Sequence, residues 1–387
     1  MTDVTGAAMP KSIAGPLDGI RVLDFSMFLA GPYCSRLMAD MGAEIIKVEP
    51  PGGDFLRHAP PVRGGHSAYF GHMNCGKKSL ELDLKGEGGQ ELIRRLVKNV
   101  DVVLENFRPG VMARLGLDYD SLAALKPDLI FCSVSGYGQN GPDAGKAAFA
   151  PIIHAASGYD LIMMHYQGDA DRPPSTRSTV ADILGATHAF GAINAALVQR
   201  LRTGRGQHID VAMMDAMHNV LAYEYQAAQM EAPDGPIVFS PIRTTDGFVM
   251  VAPVSLANFT GLAQAAGRPE LLADDRFAEP SARVRNWTLL LTEIETWSLT
   301  QTTDACEAAI LAKGCPCTRY LQLDQSMAEP QIASRGAAVK ISGVDDPYNV
   351  GNCPAQFAGT DVGARPWVAR LGQHNEEFFA EAGLEPD

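Results

Sequence analysis

The feature that most restricts the fold of this chain is the regular exchange of short apolar runs and helical patterns over its first 135 residues. Residues 19–25, Gly-Ile-Arg-Val-Leu-Asp-Phe, read as a strand, followed by the loop Ser-Met-Phe-Leu-Ala-Gly-Pro at 26–32 and a helical pattern over 33–41. A second strand, 43–49, stops at Pro50-Pro51-Gly52-Gly53, and further strands are expected at 78–84, 101–107 and 128–134, with helical patterns at 88–99, 111–114 and 119–125 between them. Strands joined in this way by helices form a parallel sheet covered by helices, which is the α/β class. Ligands of open α/β sheets sit beyond the C-terminal ends of the strands. Attention therefore falls on 26–32, on Asn106-Phe107-Arg108-Pro109-Gly110 and on the Gly136-Tyr-Gly-Gln-Asn-Gly-Pro142 loop. The Gly-, Pro- and His-rich stretch 50–76 reads as a long loop, and long loops within compact domains are commonly functional.

Downstream, 178–203 has the spacing of one long helix. Ile183, Ala186, Phe190, Ile193, Leu197 and Leu201 would form its buried face, and Arg200, Arg202 and Gly204 supply a stop signal. Asp182 in its first turn has two readings. Thr179-x-x-Asp182 resembles a capping box, with the carboxylate near the positive end of the helix dipole; alternatively the carboxylate does chemistry. A strand at 207–212 and a helix over 213–229 lead to a break at Pro233-Asp-Gly-Pro236. Then come a hairpin at 237–253, helical patterns at 255–266, 282–298 and 303–313, a short strand near 338–341 and a last helix near 376–382. The expected organisation is an N-terminal part of a large domain at 1–200, a linker helix at 201–225, a small α+β domain at 226–320 and a return to the large domain at 321–387.

With 387 residues and 46% hydrophobic content the chain can bury a large core, and its length suits about two domains. A net charge of −13 argues against nucleic acid as a partner. Seven scattered cysteines fit free thiols in a reducing cytoplasm, and Cys315-Pro-Cys317 is too tight for a zinc knuckle, so no metal is expected. No apolar run in the sequence reads as a membrane span, and no membrane partner is expected. The first strand–helix turn lacks the Gly-x-Gly-x-x-Gly run of a dinucleotide site. Gly71-His-Met-Asn-Cys-Gly76-Lys77-Lys78 approaches a P-loop but ends in Lys and enters a strand, which leaves its lysines either as point charges for a phosphate or as solvated surface. Asn106, Phe107, Arg108 and Arg114 have two readings, contacts for a nucleotide-like ligand or a Pro-Gly turn with an exposed Arg. Neither a Gly-x-Ser-x-Gly elbow nor a His-Glu-x-x-His pair occurs.

Taken in order, several segments resemble the class III CoA-transferase (CaiB/BaiF) family. They are Gly19-Ile-Arg-Val-Leu-Asp-Phe-Ser with Ala30-Gly-Pro32, Gly42-Ala-Glu-Ile-Ile-Lys-Val-Glu49, Asn74-Cys-Gly-Lys-Lys-Ser-Leu-Glu-Leu-Asp83, Val103-Leu-Glu-Asn-Phe-Arg-Pro-Gly110, Gly136-Tyr-Gly138, Ala181-Asp182, Thr203-Gly-Arg-Gly-Gln207, Thr245-Asp-Gly247 and Leu371-Gly-Gln-His374. The resemblance implies a Rossmann-like large domain with a smaller α+β domain, in ring-shaped subunits interlocked as a homodimer. It implies that coenzyme A or acyl-CoA is bound as substrate, with no permanently held cofactor. Met27, Phe28 and Ala30 would line the first loop, Lys77 and Lys78 would lie near the nucleotide, and Asn106, Phe107, Arg108 and Arg114 would hold the adenine and phosphates, with Lys146 as a further contact. Asp182 would be the nucleophile, passing through an aspartyl anhydride and an aspartyl-CoA thioester. Some positions depart from relatives within the superfamily. Phe149 stands where racemases carry a proton-transfer His. Ala150 and Pro151 lack an acid found in many transferases, Met27 replaces the His of formyl-CoA transferases, and the Gly-rich loop of those enzymes is missing from 230–250. The expected activity is CoA transfer from an acyl-CoA to a carboxylic acid, with dicarboxylates among the candidate acids, between or within molecules. An α-methylacyl-CoA racemase or epimerase and a non-catalytic CoA-binding protein are the alternatives.

Overall fold

The computed structural model describes residues 15–168, 170–230 and 238–385. The chain forms two compact units, one from 1–221 with 333–387 and the other from 222–332.

The first unit is built on six strands: β1 Arg21–Asp24, β2 Glu44–Glu49, β3 Lys77–Glu81, β4 Val102–Glu105, β5 Ile130–Ser135 and β6 Gln207–Ala212. They pair in the order β3-β2-β1-β4-β5-β6, and every pairing is parallel. This is the doubly wound order, whose direction reverses between β1 and β4. Side chains alternate across the sheet. Val22, Ile45, Val102, Leu104, Ile130 and Cys132 join the core on one face, and Leu23, Ile46, Val103 and Phe131 join the core on the other. Near-continuous apolar strands follow from that two-sided burial.

The helices needed below are α1 Ala30–Asp40, α2 Ala150–Ala156, α3 Tyr159–Tyr166, α4 Val180–Thr203 and α5 Met213–Val220. The expected stop of α4 is present, with Gly204 at φ +69° and its N–H bonded to the Arg200 carbonyl. The buried face differs from the apolar spacing. It is mostly small, Ala181, Gly185, Ala186, Ala189 and Ala196 with Ile193 and Leu197, whereas Leu201 is 85% exposed. Small residues let α1 and β5 approach the helix backbone, and that close packing selects the face over side-chain size. By length and composition α4 is long and apolar enough to cross a membrane, with a mean hydropathy of 1.3 over 18 residues, although no run of the sequence was expected to be.

Other segments also depart from expectation. Stretch 50–76 is not a plain loop: it holds a 3-10 turn (Phe55–His58), a two-stranded ladder and a helix (Ala68–Asn74). The anticipated linker at 201–225 is corrected, because Gln207–Ala212 is the edge strand of the six-stranded sheet and 213–229 is two helices, Met213–Val220 and Ala222–Ala227, on either side of the unit boundary. The boundary of the return falls at 332/333 rather than 320. The break at 233–236 and the start of the hairpin at Ile237 lie outside the described residues. The C-terminal helix Asn375–Ala382 seats Phe378 in the first unit's core, and Glu381 and Glu377 pair with Arg21 and Lys78.

The second unit has its own core, with Phe259, Leu262, Phe277, Trp287, Leu290 and Ile294 around a small antiparallel sheet of Ile242–Arg243, Phe248–Val251 and Cys317–Arg319.

Candidate active site

The loops leaving β1 and β4 diverge at the point where the strand order reverses, and a cavity of about 190 Å³ opens there. Met27, Phe28 and Ala30 line it from the β1 side, Asn106, Phe107, Arg108 and Pro109 from the β4 side, and Val134, Ser135 and Gly136 from the end of β5. Lys146, Phe149, Met213 and Asp182 complete the wall.

The β1 loop is held by buried charge. Asp24 accepts from the Ser26 N–H at 2.9 Å, from the Ser26 hydroxyl, and from the Ser35 hydroxyl at 2.5 Å. Lys47 donates to the Ser26 carbonyl at 2.7 Å and pairs with Asp54 at 3.0 Å. Asn106 spends both amide atoms on Met27, accepting from its N–H and donating to its carbonyl, each at 2.8 Å. Between these anchors Phe28 adopts φ +64°, the one positive φ at a non-glycine among the described residues. Left-handed backbone at a bulky side chain is unfavourable and persists where neighbours over-determine it. Its ring meets Phe149 edge-on, centroids 5.5 Å apart, and Phe55 at 5.7 Å.

Asp182 lies in the first turn of α4. Thr179 takes the N-cap position but its side chain makes no capping bond, so the capping box does not form. Burial pushes the Asp182 carboxyl up to about 6. Its place near the positive end of the helix dipole pointed to a favoured ionised form, whereas burial disfavours the charged form. Tyr69, whose phenol is pushed up first by burial, also feels the Asp182 charge.

The structure does not bring every expected ligand-binding residue to this cavity. Lys77 is buried, donating to the Pro32 carbonyl and the Asn74 amide oxygen, each at 2.8 Å, and pairing with Asp24 at 3.2 Å. Burial, partly offset by Asp24, lowers its pKa to about 8. Lys77 therefore braces the β1 loop from beneath and is not placed as a phosphate contact. Lys78 is paired with Glu44 and Glu377, each at 2.5 Å. Arg114 is exposed on the short helix Val111–Arg114, outside the lining. Arg108 is exposed at the cavity edge, and Lys146 holds only a surface pair with Asp143 at 2.8 Å, which a stronger anion can displace.

Two features escaped the sequence reading. His154 on α2 accepts the Ala181 N–H beside Asp182. A second cavity of about 240 Å³, lined by Glu105, Tyr119, Ser133 and His208, shares Arg108 and Pro109 with the first. Burial raises the Glu105 carboxyl there to about 7. No sequence spacing marks either feature, because each joins residues from separate elements. Among the described residues no group of three or more His, Cys, Asp or Glu is placed to hold a metal, and all seven cysteines are free.

A doubly wound parallel sheet with a cavity at its switch point places the chain among α/β proteins that bind their ligands beyond the strand ends. The chain belongs to CoA-transferase family III, whose profile matches residues 17–375. As a class III CoA-transferase it moves CoA from an acyl-CoA thioester to a carboxylic acid. Similar proteins include the succinyl-CoA–D-citramalate CoA-transferase of Chloroflexus aurantiacus, 39% identical over 96% of this chain and 95% of that protein. The succinate–glutarate CoA-transferase of Agrobacterium fabrum is 34% identical over 95% of each. The acetyl-CoA:oxalate CoA-transferase of Acetobacter aceti is 36% identical over 98% of each. Among solved structures, a CaiB/BaiF family protein from Brucella suis superposes with a TM-score of 0.82 at 34% identity, covering 96% of this chain and all of that one. Rv3272 from Mycobacterium tuberculosis gives 0.84 at 31%, covering 94% and 99%.

Proposed function

We propose that the protein transfers CoA between dicarboxylic acids, with Asp182 as the covalent carrier. The observation that carries this reading is the raised Asp182 carboxyl in one cavity with Met27, Phe28, Ala30, Asn106, Phe107, Arg108 and Lys146. Dicarboxylates as substrates are supported by relatives named for succinate, citramalate and glutarate.

An Asp182 oxygen attacks the thioester carbonyl carbon, the C–S bond breaks, and CoA thiolate leaves a mixed anhydride. The thiolate attacks the aspartyl carbonyl of that anhydride, the donor acid departs as its carboxylate, and an aspartyl-CoA thioester remains. The acceptor carboxylate attacks this thioester and expels the thiolate again. The thiolate then takes the acceptor's acyl carbon from the new anhydride and restores the Asp182 carboxylate. Splitting one exchange between weak nucleophiles into covalent steps lowers each barrier. A desolvated carboxylate is more basic than one in water and attacks better once ionised. Phe149, packed on Phe28, offers no proton-transfer group, which supports transfer over racemisation.

Arg108 and Lys146 are the cations we assign to the CoA phosphates. Arg108→Ala is expected to raise KM for acyl-CoA about 10-fold with kcat little changed, measured by steady-state kinetics. For the reaction itself, succinyl-CoA is offered with citramalate, glutarate, mesaconate or oxalate, and CoA products and hydroxylamine-trapped enzyme are read by mass spectrometry. A hydroxamate on Asp182 is expected; transfer without any adduct there removes the covalent reading.

We further propose that the working form is the interlocked homodimer. Exposed apolar side chains support it: Val198 and Leu201 on α4, and Leu161 on α3, a helix with no buried residue. Light scattering is expected to return twice the chain mass.

A further inference from the structure

The start of α4 is held from outside the helix. The first N–H groups of a helix have no acceptor within it, and a Ser, Thr, Asp or Asn at the N-cap ordinarily supplies one. Thr179 stands at that position with φ −120° and ψ 34°, and its side chain makes no capping hydrogen bond. The acceptor is Nε2 of His154, 3.1 Å from the Ala181 nitrogen. His154 and Ala181 are both fully buried, and the next residue is Asp182.

An imidazole nitrogen that accepts a hydrogen bond carries a lone pair, so the ring proton is on Nδ1 and the ring is neutral. Nδ1 is buried without a hydrogen-bond partner among the described residues. Leaving such a donor unpaired costs about 1–3 kcal/mol, so the site keeps this tautomer at some expense to stability. The ring rests against Tyr159, centroids 5.3 Å apart, and burial lowers its pKa with Asp160 opposing. Neutrality matters to the neighbour. Burial alone raises the Asp182 carboxyl, with no charged group contributing. A cationic ring at this place would donate instead of accept, would release the Ala181 N–H, and would make the carboxylate less basic.

We propose that His154 is a positioning residue for CoA transfer: its neutral imidazole replaces the missing N-cap, fixes the first turn of α4 and so sets the direction from which Asp182 attacks the thioester. This rests on the reading of Asp182 as nucleophile. The Ala181 bond and the buried orphan nitrogen stand without it.

The test compares His154→Gln, whose amide oxygen is a neutral acceptor, with His154→Leu, which fills the space and accepts nothing. Single-turnover acylation by succinyl-CoA, quenched with hydroxylamine, is measured for both, together with KM. His154→Gln is expected to stay within about 3-fold of wild type, and His154→Leu to acylate on the order of 10- to 100-fold more slowly at unchanged KM, the size of effect small misplacements of a reacting group produce. Leu acylating at the wild-type rate, Gln as slow as Leu, or a loss confined to KM overturns the proposal. Nitrogen-15 spectra of the wild-type imidazole at neutral pH read the tautomer without any variant having to fold. A proton on Nδ1 is expected, and one on Nε2 overturns the proposal. Asp182→Asn is run in parallel. An adduct that persists in it removes the nucleophile reading on which the proposal rests, while the tautomer reports on the cap by itself.

Discussion

Asp182 carries opposite demands. Its carboxyl is raised to about 6 by burial, above the value near 3.9 of an unfolded aspartate. Ionisation is therefore disfavoured in the folded state. The destabilisation is absent below the unfolded value, grows between the two values, and is fully present above pH 6, where it is at most about 3 kcal/mol. Asp182→Asn is expected to melt higher than wild type at pH 8 and to lose that advantage at pH 4, as calorimetry at the two pH values would show. The same variant is expected to lose transfer on the order of 1,000-fold or more, since no other group takes over a covalent role. In the wild type, kcat/KM is expected to fall as pH drops through about 6, because the protonated carboxyl does not attack. A profile flat down to pH 5 would separate Asp182 from the covalent step. The aspartate and its helix were readable from residue order. The direction of its pKa shift was not, since it depends on burial beneath segments far away in the chain.

At the scale of elements, the β1 loop and the start of α1 form the half of the site that least tolerates change. A Cβ placed on Gly31 would stand 2.1 Å from the Ser26 Cβ and 2.5 Å from its Oγ. Ser26 has little room to yield, because Asp24, Lys47 and the Asn106 clamp on Met27 hold the loop. Gly31→Ala is expected to destabilise by about 1–3 kcal/mol through overpacking and to raise KM for acyl-CoA, read by urea unfolding and initial rates. Unchanged values of both would show that the loop is softer than its bonds imply. The parallel strands and the stop of α4 were legible in the sequence, because apolar periodicity and Gly or Pro act over a few residues. Helix α2 was missed because its burial depends on α4 and α5 more than on a local stripe, and α3 because it buries no residue and so has no core-facing stripe to read.

At the scale of the whole molecule, the segment 222–332 has a core of its own around Phe259, Phe277 and Trp287. Expressed alone, it is expected to unfold cooperatively in urea, followed by tryptophan fluorescence; a gradual, non-cooperative loss of signal would show that it depends on the rest of the chain. The sequence by itself determined the parallel α/β architecture, the loops at the strand ends, the extent of the helix bearing Asp182 and the family to which the motifs point. These follow from hydrophobic period and from residues whose backbone limits are local. Only the tertiary structure decided what each charge does. Lys77 meets Asp24 from 53 positions away and Lys78 meets Glu377 from 299, so two lysines that read as phosphate contacts are engaged within the fold. The Ala181 N–H finds His154 from 27 positions back. A polar side chain's role is set by whichever partner and dielectric the folded chain brings to it, and neither is written in its neighbours along the sequence.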